Sequence, residues 1–250
     1  MKNQITVIKF GGSLGQNAKA LKAFCLDLAR LAKKEPVVLV HGGGPQISLW
    51  MQKLGLKVKF VNGRRYTDKA ALEVVEMALS GNVNKNFVAM LNKQGARAVG
   101  ISAKDGNIAV CKRVKGLGLV GEPVKINPKL ITTLLNAGFL PVLSSIGSDA
   151  KGTTLNINAD SLAMALAGAL KARRLILMTD VCGVLDAKKR TIPAIKIAQA
   201  AGLIRRKTVT GGMIPKLQAC VNAVKNGVSR VIIADGSRGL KTIRGTVIQK

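Results

Sequence analysis

The chain has 250 residues, of which 48% are hydrophobic, and it carries 40 Lys and Arg against 12 Asp and Glu, a formal net charge of +28. This hydrophobic content supports a sizeable core and argues against intrinsic disorder. The longest apolar runs are strand-sized, well below the ~20 residues of a membrane-spanning helix. The N-terminus also lacks the apolar segment of a signal peptide. We therefore expect a cytoplasmic protein without a membrane partner.

Side chains that commonly bind metals are few and scattered. The four cysteines, Cys25, Cys111, Cys182 and Cys220, form no CxxC pair, and His41 is the single histidine. A structural zinc site needs four clustered Cys or His ligands. The sequence therefore predicts no protein-built metal site, and its cysteine usage is typical of a reducing compartment.

The excess positive charge concentrates anions such as nucleic acid, nucleotides, acidic metabolites or an acidic protein. The basic residues are spread along the chain, and aromatic residues make up only 3%. Stacking platforms for single strands need aromatic side chains, and no zinc finger, RNP motif or basic heptad region is present. We therefore do not expect nucleic acid as the partner, and we favour a compositional bias with solvated lysines as the source of the charge.

Strand-like and helix-like runs alternate along the chain. In order, the pattern predicts strand 5–10, helix 18–34, strand 36–40, helices 47–54, 70–77 and 83–94, strand 96–101, a hairpin insertion within 107–125, helix 128–137, strand 140–144, helix 160–170, strand 174–178, helix 215–225 and strand 230–234. This alternation is typical of a mainly parallel open sheet covered on both faces, a three-layer α/β/α sandwich. No linker divides the chain, so we expect a single domain, 1–250, with one continuous sheet and two lobes.

Two glycine-rich turns follow the first two predicted strands. The first is Gly11-Gly12-Ser13, with Lys9 just before it, and the second is the segment 41–45, HGGGP. Glycines let the backbone bend sharply and present bare N–H groups, and a following helix start adds partial positive charge. The turns match neither a P-loop nor a dinucleotide-binding fingerprint. They predict a phosphate-like anion site at the carboxyl ends of the strands.

Three other segments combine polar side chains with turn or helix-start signals. Arg65 lies in a turn-like segment with Arg64, and guanidinium groups bind carboxylates through two hydrogen bonds. Asp160 precedes a predicted helix, where it serves either as a helix cap or as a functional carboxylate. Lys216 lies in a first helical turn, which disfavours a cation unless an anion is nearby. His41 is interpreted as a hydrogen-bonded residue, since no GxSxG motif indicates a hydrolase.

Together these segments resemble the amino acid kinase family over nearly the whole chain and in the family's order. The resembling segments are 9–13, 41–45, 62–68, 144–147, 156–160, 179–186 and 210–216. The resemblance implies a homodimer. It also implies an acyl-amino-acid-binding and dimerisation lobe, approximately 1–172, and an ATP-binding lobe, 173–250.

Within this family the chain is similar to members that act on free N-acetyl-L-glutamate. The implied reaction is ATP-dependent phosphorylation of the γ-carboxylate to give N-acetyl-L-glutamyl 5-phosphate, a step of arginine biosynthesis. A carboxylate is ionised at neutral pH and needs no general base to attack phosphorus, which suits a chain with one histidine. The requirements are in-line positioning and neutralisation of negative charge.

The resemblance also implies a role for each candidate site residue. Lys9 and Lys216 flank the transferring phosphoryl group, Asp160 orients both ammonium groups, and Gly12 and Gly44 donate backbone N–H groups to its oxygens. The substrate-binding set is Gly43, Gly44, Arg65 and Asn156. The nucleotide-binding set is Gly11, Thr179, Asp180, Gly183, Leu185, Thr208, Thr210, Gly212 and Lys216. Mg²⁺ is expected to bridge the ATP phosphates, largely without a protein carboxylate cage.

The chain departs from the family pattern in two places besides its charge. It starts almost at the first strand, without the N-terminal helix of hexameric, arginine-inhibited members, so we expect a dimer without arginine feedback. The stretch before Gly245-Thr246 is short.

Two alternative functions stay open. One is a kinase for an aminoadipate or glutamate attached to a small acidic carrier protein, which the positive charge would suit. The other is a non-catalytic anion- or nucleic-acid-binding relative. The presence of Lys9, Asp160 and Lys216 together favours catalysis, because a pure binding protein has no need of all three.

Overall fold

The structure is a computed structural model that describes residues 4–11, 15, 17–186, 188–236, 239–240, 243 and 245–250. The strands are β1 Thr6–Phe10, β2 Val37–His41, β3 Phe60–Val61, β4 Arg64–Arg65, β5 Ala98–Ser102, β6 Ala109–Arg113, β7 Val120–Ile126, β8 Leu140–Ser144, β9 Ile146–Ser148, β10 Thr154–Ile157, β11 Arg174–Thr179, β12 Ala194–Lys196, β13 Arg230–Asp235 and β14 Gly245–Gln249. The α-helices are α1 Ala18–Ala32, α2 Gly44–Lys53, α3 Lys69–Glu76, α4 Asn84–Lys93, α5 Lys129–Asn136, α6 Ala159–Ala169, α7 Ile197–Arg205 and α8 Met213–Lys225. A π-helical segment, Met77–Val83, joins α3 to α4, and a 3-10 turn spans Asp105–Asn107.

The main sheet has eight strands in the order β12-β14-β13-β11-β1-β2-β8-β5. Its neighbours pair in parallel except for β13 and β14, which are antiparallel. The expected mainly parallel sheet is thus confirmed. Because β1 lies between β11 and β2, the loops that follow these three strands leave the same edge of the sheet.

Helices cover both faces of this sheet. Every residue of β2 is buried, and the central strands read as continuous apolar runs, as expected where both faces are packed. Successive residues of β2 join different cores: Val38 and Val40 pack with residues of α6 and α8, whereas Val37 and Leu39 pack with residues of α1 and α4. The three-layer α/β/α arrangement is therefore confirmed.

The predicted hairpin insertion is present, but its surroundings differ from expectation. Strands β6 and β7 pair antiparallel, and β9 and β10 close them into a small four-stranded barrel. A separate two-stranded ribbon, β3-β4, lies between α2 and α3. The prediction of one continuous sheet is wrong, because the local hairpin β9-β10 pairs with β7 and β6 instead of joining the main sheet.

Several element boundaries also differ. Helix α2 begins at Gly44, with Pro45 in its first turn, rather than at residue 47; proline suits a first turn because it lacks an N–H group. Helix α7 and strands β12 and β14 were not predicted. Across the described residues, no helix is both long and apolar enough to cross a membrane.

Candidate active site

A lysine from β1 and an aspartate from α6 form an ion pair at the carboxyl edge of the sheet. Lys9 Nζ lies 2.9 Å from Asp160 Oδ1, with side-chain exposures of 13% and 23%. Partial burial strengthens such a pair relative to one at the surface. The same Asp160 oxygen accepts no geometrically favourable hydrogen bond from the described residues, so the contact is mainly electrostatic.

The α6 cap explains why Asp160 is available for this pair. Asn158, not Asp160, is the N-cap, and its side chain accepts from the backbone N–H groups of Asp160 at 2.8 Å and Ser161 at 3.2 Å. The interpretation of Asp160 as the cap is therefore wrong. Its carboxylate lies in the first helical turn, where the helix dipole favours negative charge.

Lys216 is half-buried in the first turns of α8, which packs against α6. Burial raises the pKa of Cys220, one turn further along α8, to about 12; the charge of Asp160 raises it further and that of Lys216 lowers it. Lys216 and Asp160 thus both act electrostatically on Cys220. Among the described residues, however, Asp160 forms its ion pair with Lys9 and not with Lys216.

The second glycine turn joins β2 to α2. Gly43 is the N-cap of α2, and a Cβ atom there would lie 2.7 Å from Leu79 Cδ2 and 3.2 Å from Val83 Cγ2. A side chain at this position would therefore displace Leu79 of the π-helical segment. The first amides of α2 have no intrahelical acceptor, and they give this end of the helix affinity for anions.

A pocket of about 180 Å³ opens beside this turn. Glycine-turn, ribbon and barrel residues form its wall: Gly42, Gly43, Gly44, Ile47, Phe60, Gly63, Arg64, Arg65, Leu79, Val120, Ser145, Asn156, Ile157, Asn158 and Ala159. All four residues predicted to bind the substrate are among them. Ala159, the neighbour of Asp160, is one of these lining residues.

Arg65 is the main cationic group of this pocket and is only 7% exposed. Its Nη2 donates to Gly44 O at 3.0 Å and to Ser48 Oγ at 2.7 Å, and its guanidinium carbon lies 4.9 Å from the centre of the Phe60 ring. Burial lowers the pKa of Arg65. Among the described residues no carboxylate pairs with Arg65, so none of them balances the positive charge of this buried side chain. Such a charge favours an anionic ligand.

Asn156 is hydrogen-bonded to the segment that follows Arg65. Asn156 Nδ2 donates to Thr67 Oγ1 at 3.1 Å, and Thr67 Oγ1 donates to Arg65 O at 3.1 Å. Thr67 is fully buried. These bonds link the barrel strand β10 to the segment that follows the ribbon strand β4, and so connect Asn156 with Arg65.

The predicted nucleotide-binding residues lie in the loop after β11 and at the start of α8. Thr179 ends β11 and exchanges hydrogen bonds with Val181, while Gly183 has φ +133 and packs against Thr246. Asp180 and Leu185 are exposed. In the segment just before α8, Thr208 is half-buried and Thr210 and Gly212 are exposed. Gly11 is buried directly after β1, and Gly12 lies outside the described residues.

Sequence reasoning gave no role to four residues at the pocket: Ser48, Phe60, Ser145 and Asn158. Ser145 and Asn158 lie within the resembling segments 144–147 and 156–160, and the capping preference of asparagine is a further signal for Asn158. Ser48 and Phe60 are placed by tertiary contacts. As for metals, no cluster of three or more His, Cys, Asp or Glu side chains in the described part of the chain could hold an ion.

A glycine-lined anion pocket at the carboxyl edge of a helix-covered sheet, with a Lys–Asp pair beside it, defines a phosphate-handling α/β protein. The amino acid kinase family matches residues 4–235, and the chain belongs to this family. An Endomicrobium trichonymphae protein named acetylglutamate kinase is 49% identical, covering 99% of this chain and 100% of the relative. One of that name from Rhodopseudomonas palustris is 44% identical, covering 92% and 82%.

Solved structures agree with this assignment. A Streptococcus mutans protein is 34% identical with a TM-score of 0.83, covering 100% of this chain and 99% of that one. Carbamate kinase from Giardia lamblia, bound to AMP-PNP, has a TM-score of 0.71 at 19% identity, covering 99% of each chain. The second likeness concerns the fold alone.

Proposed function

We propose that the protein transfers the γ-phosphoryl group of ATP to the γ-carboxylate of N-acetyl-L-glutamate, forming N-acetyl-L-glutamyl 5-phosphate for arginine biosynthesis. Its membership of the amino acid kinase family and the shared name of its relatives support this. The observation that carries the substrate side is Arg65, a buried guanidinium without an acidic partner among the described residues, in a small pocket.

In this proposal Arg65 binds the α-carboxylate, and Asn156 and Gly43 line the space for the rest of the amino acid. The γ-carboxylate then points along the pocket toward Ala159 and the Lys9–Asp160 pair. An ionised carboxylate attacks without a general base. The pocket's task is to hold the carboxylate in line with the phosphoryl group.

The positive groups stabilise charge as the phosphoryl group moves. Lys9 and Lys216 approach its oxygens from the two lobes, while the backbone N–H groups of Gly44 and Gly12 donate to them. Asp160 holds the Lys9 ammonium in place. Preorganised donors of this kind commonly contribute about 10² to 10³ in rate each.

The nucleotide is assigned to the second lobe, 173–250, with the acyl-amino-acid lobe comprising 1–172. The adenine nucleotide contacts Gly11, Thr179, Asp180, Gly183, Leu185, Thr208, Thr210, Gly212 and Lys216. Mg²⁺ is assigned to the ATP phosphates, largely without protein carboxylates. When bound, it neutralises phosphate charge.

The oligomer and compartment rest on the sequence resemblance. We assign a homodimer and the cytoplasm on that basis. Light scattering of the purified protein, giving the mass of a dimer rather than of one 26.3 kDa chain, tests the first assignment.

The kinase assignment is tested by trapping the acyl phosphate with hydroxylamine. Hydroxamate should form only when ATP and N-acetyl-L-glutamate are both present. Lys9→Met and Lys216→Met should each lower kcat by about 10²-fold or more, because a phosphate-neutralising cation is lost. Lys225→Met, at the exposed far end of the same helix α8, is the matched control and should keep normal turnover.

The hydroxamate assay and a DNA-binding measurement distinguish this function from the two alternative functions. Hydroxamate that forms only with a carrier-linked acceptor would show that the carrier-linked compound, and not free N-acetylglutamate, is the substrate. Salt-sensitive DNA binding without any acyl phosphate would indicate a non-catalytic relative. Normal turnover in both lysine variants would contradict the proposed roles of Lys9 and Lys216.

A further inference from the structure

A buried polar pair lies directly behind the second glycine turn. His41 ends β2 and Asn84 begins α4, and both are fully buried. Asn84 Nδ2 lies 3.0 Å from His41 Nε2, and His41 Nδ1 lies 3.0 Å from Gly42 O. The pair thus connects helix α4 to the first peptide of the turn. The proposed function assigns no role to either side chain.

The partners of Asn84 determine its amide orientation. Its Nδ2 also lies 2.9 Å from Val142 O and 3.4 Å from Ile101 O. Backbone carbonyls only accept hydrogen bonds, so the NH₂ group must face them. An NH₂ group has two hydrogens, and the two nearest acceptors of Asn84 Nδ2 are Val142 O and His41 Nε2, so Nε2 accepts and is unprotonated. The ring proton then resides on Nδ1 and donates to Gly42 O, which likewise only accepts.

This arrangement fixes the orientation of the Gly42–Gly43 peptide. A peptide unit is planar, so holding the Gly42 carbonyl also holds the Gly43 N–H. Glycines otherwise rotate more freely than any other residue. Gly42 and Gly43 both line the pocket. Without an anchor, the turn would have to order itself each time an anion binds.

The surrounding backbone is adapted to this pair. A Cβ atom at Gly100 of β5 would lie only 2.0 Å from Asn84 Oδ1, so glycine is required there for Asn84 to reach into the sheet. On the other side, the His41 ring packs 5.3 Å from the centre of Phe87. Burial lowers the pKa of His41 to about 4, in agreement with a neutral ring.

We propose that His41 and Asn84 are positioning residues that preset the second glycine turn for phosphoryl transfer, with His41 held as the neutral Nδ1–H tautomer. The inference rests on the proposed function for its catalytic consequence. Its structural part, the tautomer, is independent of the reaction.

The first test uses the fact that His41 is the only histidine in the chain. Two-bond ¹H–¹⁵N spectra of the ¹⁵N-labelled protein at neutral pH therefore report on one ring without assignment. One protonated nitrogen with the Nδ1–H pattern is expected. An Nε2–H pattern, or an imidazolium, would overturn the proposal whether or not the protein is a kinase.

The second test separates positioning from mere stability. His41→Phe and Asn84→Leu each leave a buried polar partner unsatisfied, so both should lower Tm and also kcat. The double variant removes the contact between the two side chains, but Gly42 O and Val142 O still lose their donors, so its Tm should recover only in part. Its kcat should stay about 10²-fold low, because misplaced reacting groups cost about that much. KM values should change much less than kcat.

Asn92→Leu is the matched control. Asn92 is also on α4 and also bonds to β5, through Ala98 N at 2.7 Å, but at the strand's amino end. It should lower Tm with normal kcat in the folded protein. Full recovery of kcat in the double variant, or an equal kcat loss in Asn92→Leu, would overturn the positioning role. An inactive wild type would instead contradict the proposed function and leave the NMR result to decide the tautomer.

Discussion

At the scale of single residues, the site is dominated by two cations with different surroundings. Lys9 has a carboxylate partner, Asp160, at 2.9 Å. Arg65 has only neutral hydrogen-bond partners among the described residues: Gly44 O, Ser48 Oγ and Met51 Sδ. A cation paired with a carboxylate is held in position without ligand. An unpaired buried cation instead gains the most favourable free energy when an anion binds. This difference suits Lys9 to the moving phosphoryl group and Arg65 to a substrate carboxylate.

Replacing Arg65 tests the substrate side directly. Arg65→Lys keeps the charge but loses the planar fork that binds a carboxylate through two bonds. We expect KM for N-acetyl-L-glutamate to rise by about tenfold or more, in line with about 1.5–3 kcal/mol for a hydrogen bond to a charged group. KM for ATP should not change.

Arg97→Lys provides the control for this substitution. Arg97 also lies over a phenylalanine, 4.3 Å from the centre of the Phe139 ring, and also donates to a backbone carbonyl, that of Ala137. Arg97 directly precedes β5 and therefore lies at the amino end of that strand, whereas the pocket lies at the carboxyl ends of the strands. An equal KM effect in both variants, or none in Arg65→Lys, would remove Arg65 from the substrate site.

His41 makes stability depend on pH in a defined window. Its pKa is about 4 in the folded protein, because burial disfavours the imidazolium, against 6.5 unperturbed. The unfolded chain therefore binds a proton first as pH falls, and the free energy of unfolding decreases by up to about 1.4 kcal/mol per pH unit below 6.5. Above 6.5 this residue contributes no pH dependence.

Urea unfolding between pH 7 and about 5 measures this slope, since most carboxylates stay ionised there. The His41→Phe/Asn84→Leu variant has no histidine and should show a flatter profile. The same slope in both proteins would assign the pH dependence to other groups.

Several of the predicted site residues lie close together in the structure. The sequence places Lys9, Arg65, Asn156 and Asp160 in segments that converge in the structure. The sequence left open whether Asp160 is a helix cap or a functional carboxylate. The hydrogen bonds of Asn158 identify that residue as the cap, and Asp160 instead pairs with Lys9, a residue distant in sequence.

At the scale of elements, strong periodicity predicted most helices and the central strands. The differences lie where pairing partners are distant. Strand β14 pairs with β13 and β12, and the hairpin β9-β10 pairs with β7 and β6 to close the barrel. The π-helical segment Met77–Val83 has no local signature either. Its role is visible only in space, where Leu79 and Val83 pack on Gly43.

This packing predicts the effect of Gly43→Ala. The added methyl group would lie 2.7 Å from Leu79 Cδ2, and Leu79 is 1% exposed and cannot move freely. Overpacking of this kind typically costs about 1–3 kcal/mol. We expect a lower Tm and a displaced start of α2, seen as a fall in kcat.

Gly44→Ala is the comparison for stability. A Cβ atom there meets nothing within 4 Å, and alanine favours a helix over glycine by about 1 kcal/mol. Its Tm should be unchanged or higher. A Gly43→Ala protein as stable as Gly44→Ala would show that the π-helical segment yields to the methyl group.

At the scale of the whole molecule, the sequence predicts the three layers of the fold but not the effect of the net positive charge. The three-layer sandwich follows from alternating strands and helices, which constrain topology strongly. Net charge, in contrast, bears on association rather than on fold. The +28 charge surrounds a site whose proposed substrates are both anions, and it should therefore act on their capture.

We predict that salt weakens substrate capture without slowing the chemical step. Raising NaCl from about 0.01 M to about 0.15 M shortens the Debye length from about 30 Å to about 8 Å. The field of the distant lysines is then screened, while the partly buried Lys9–Asp160 pair is screened much less. Steady-state kinetics should show kcat/KM falling and kcat nearly constant. The fall should be steeper for ATP than for N-acetyl-L-glutamate, since ATP carries more negative charge. A kcat/KM independent of salt for both substrates would mean that the surface charge has no part in their capture.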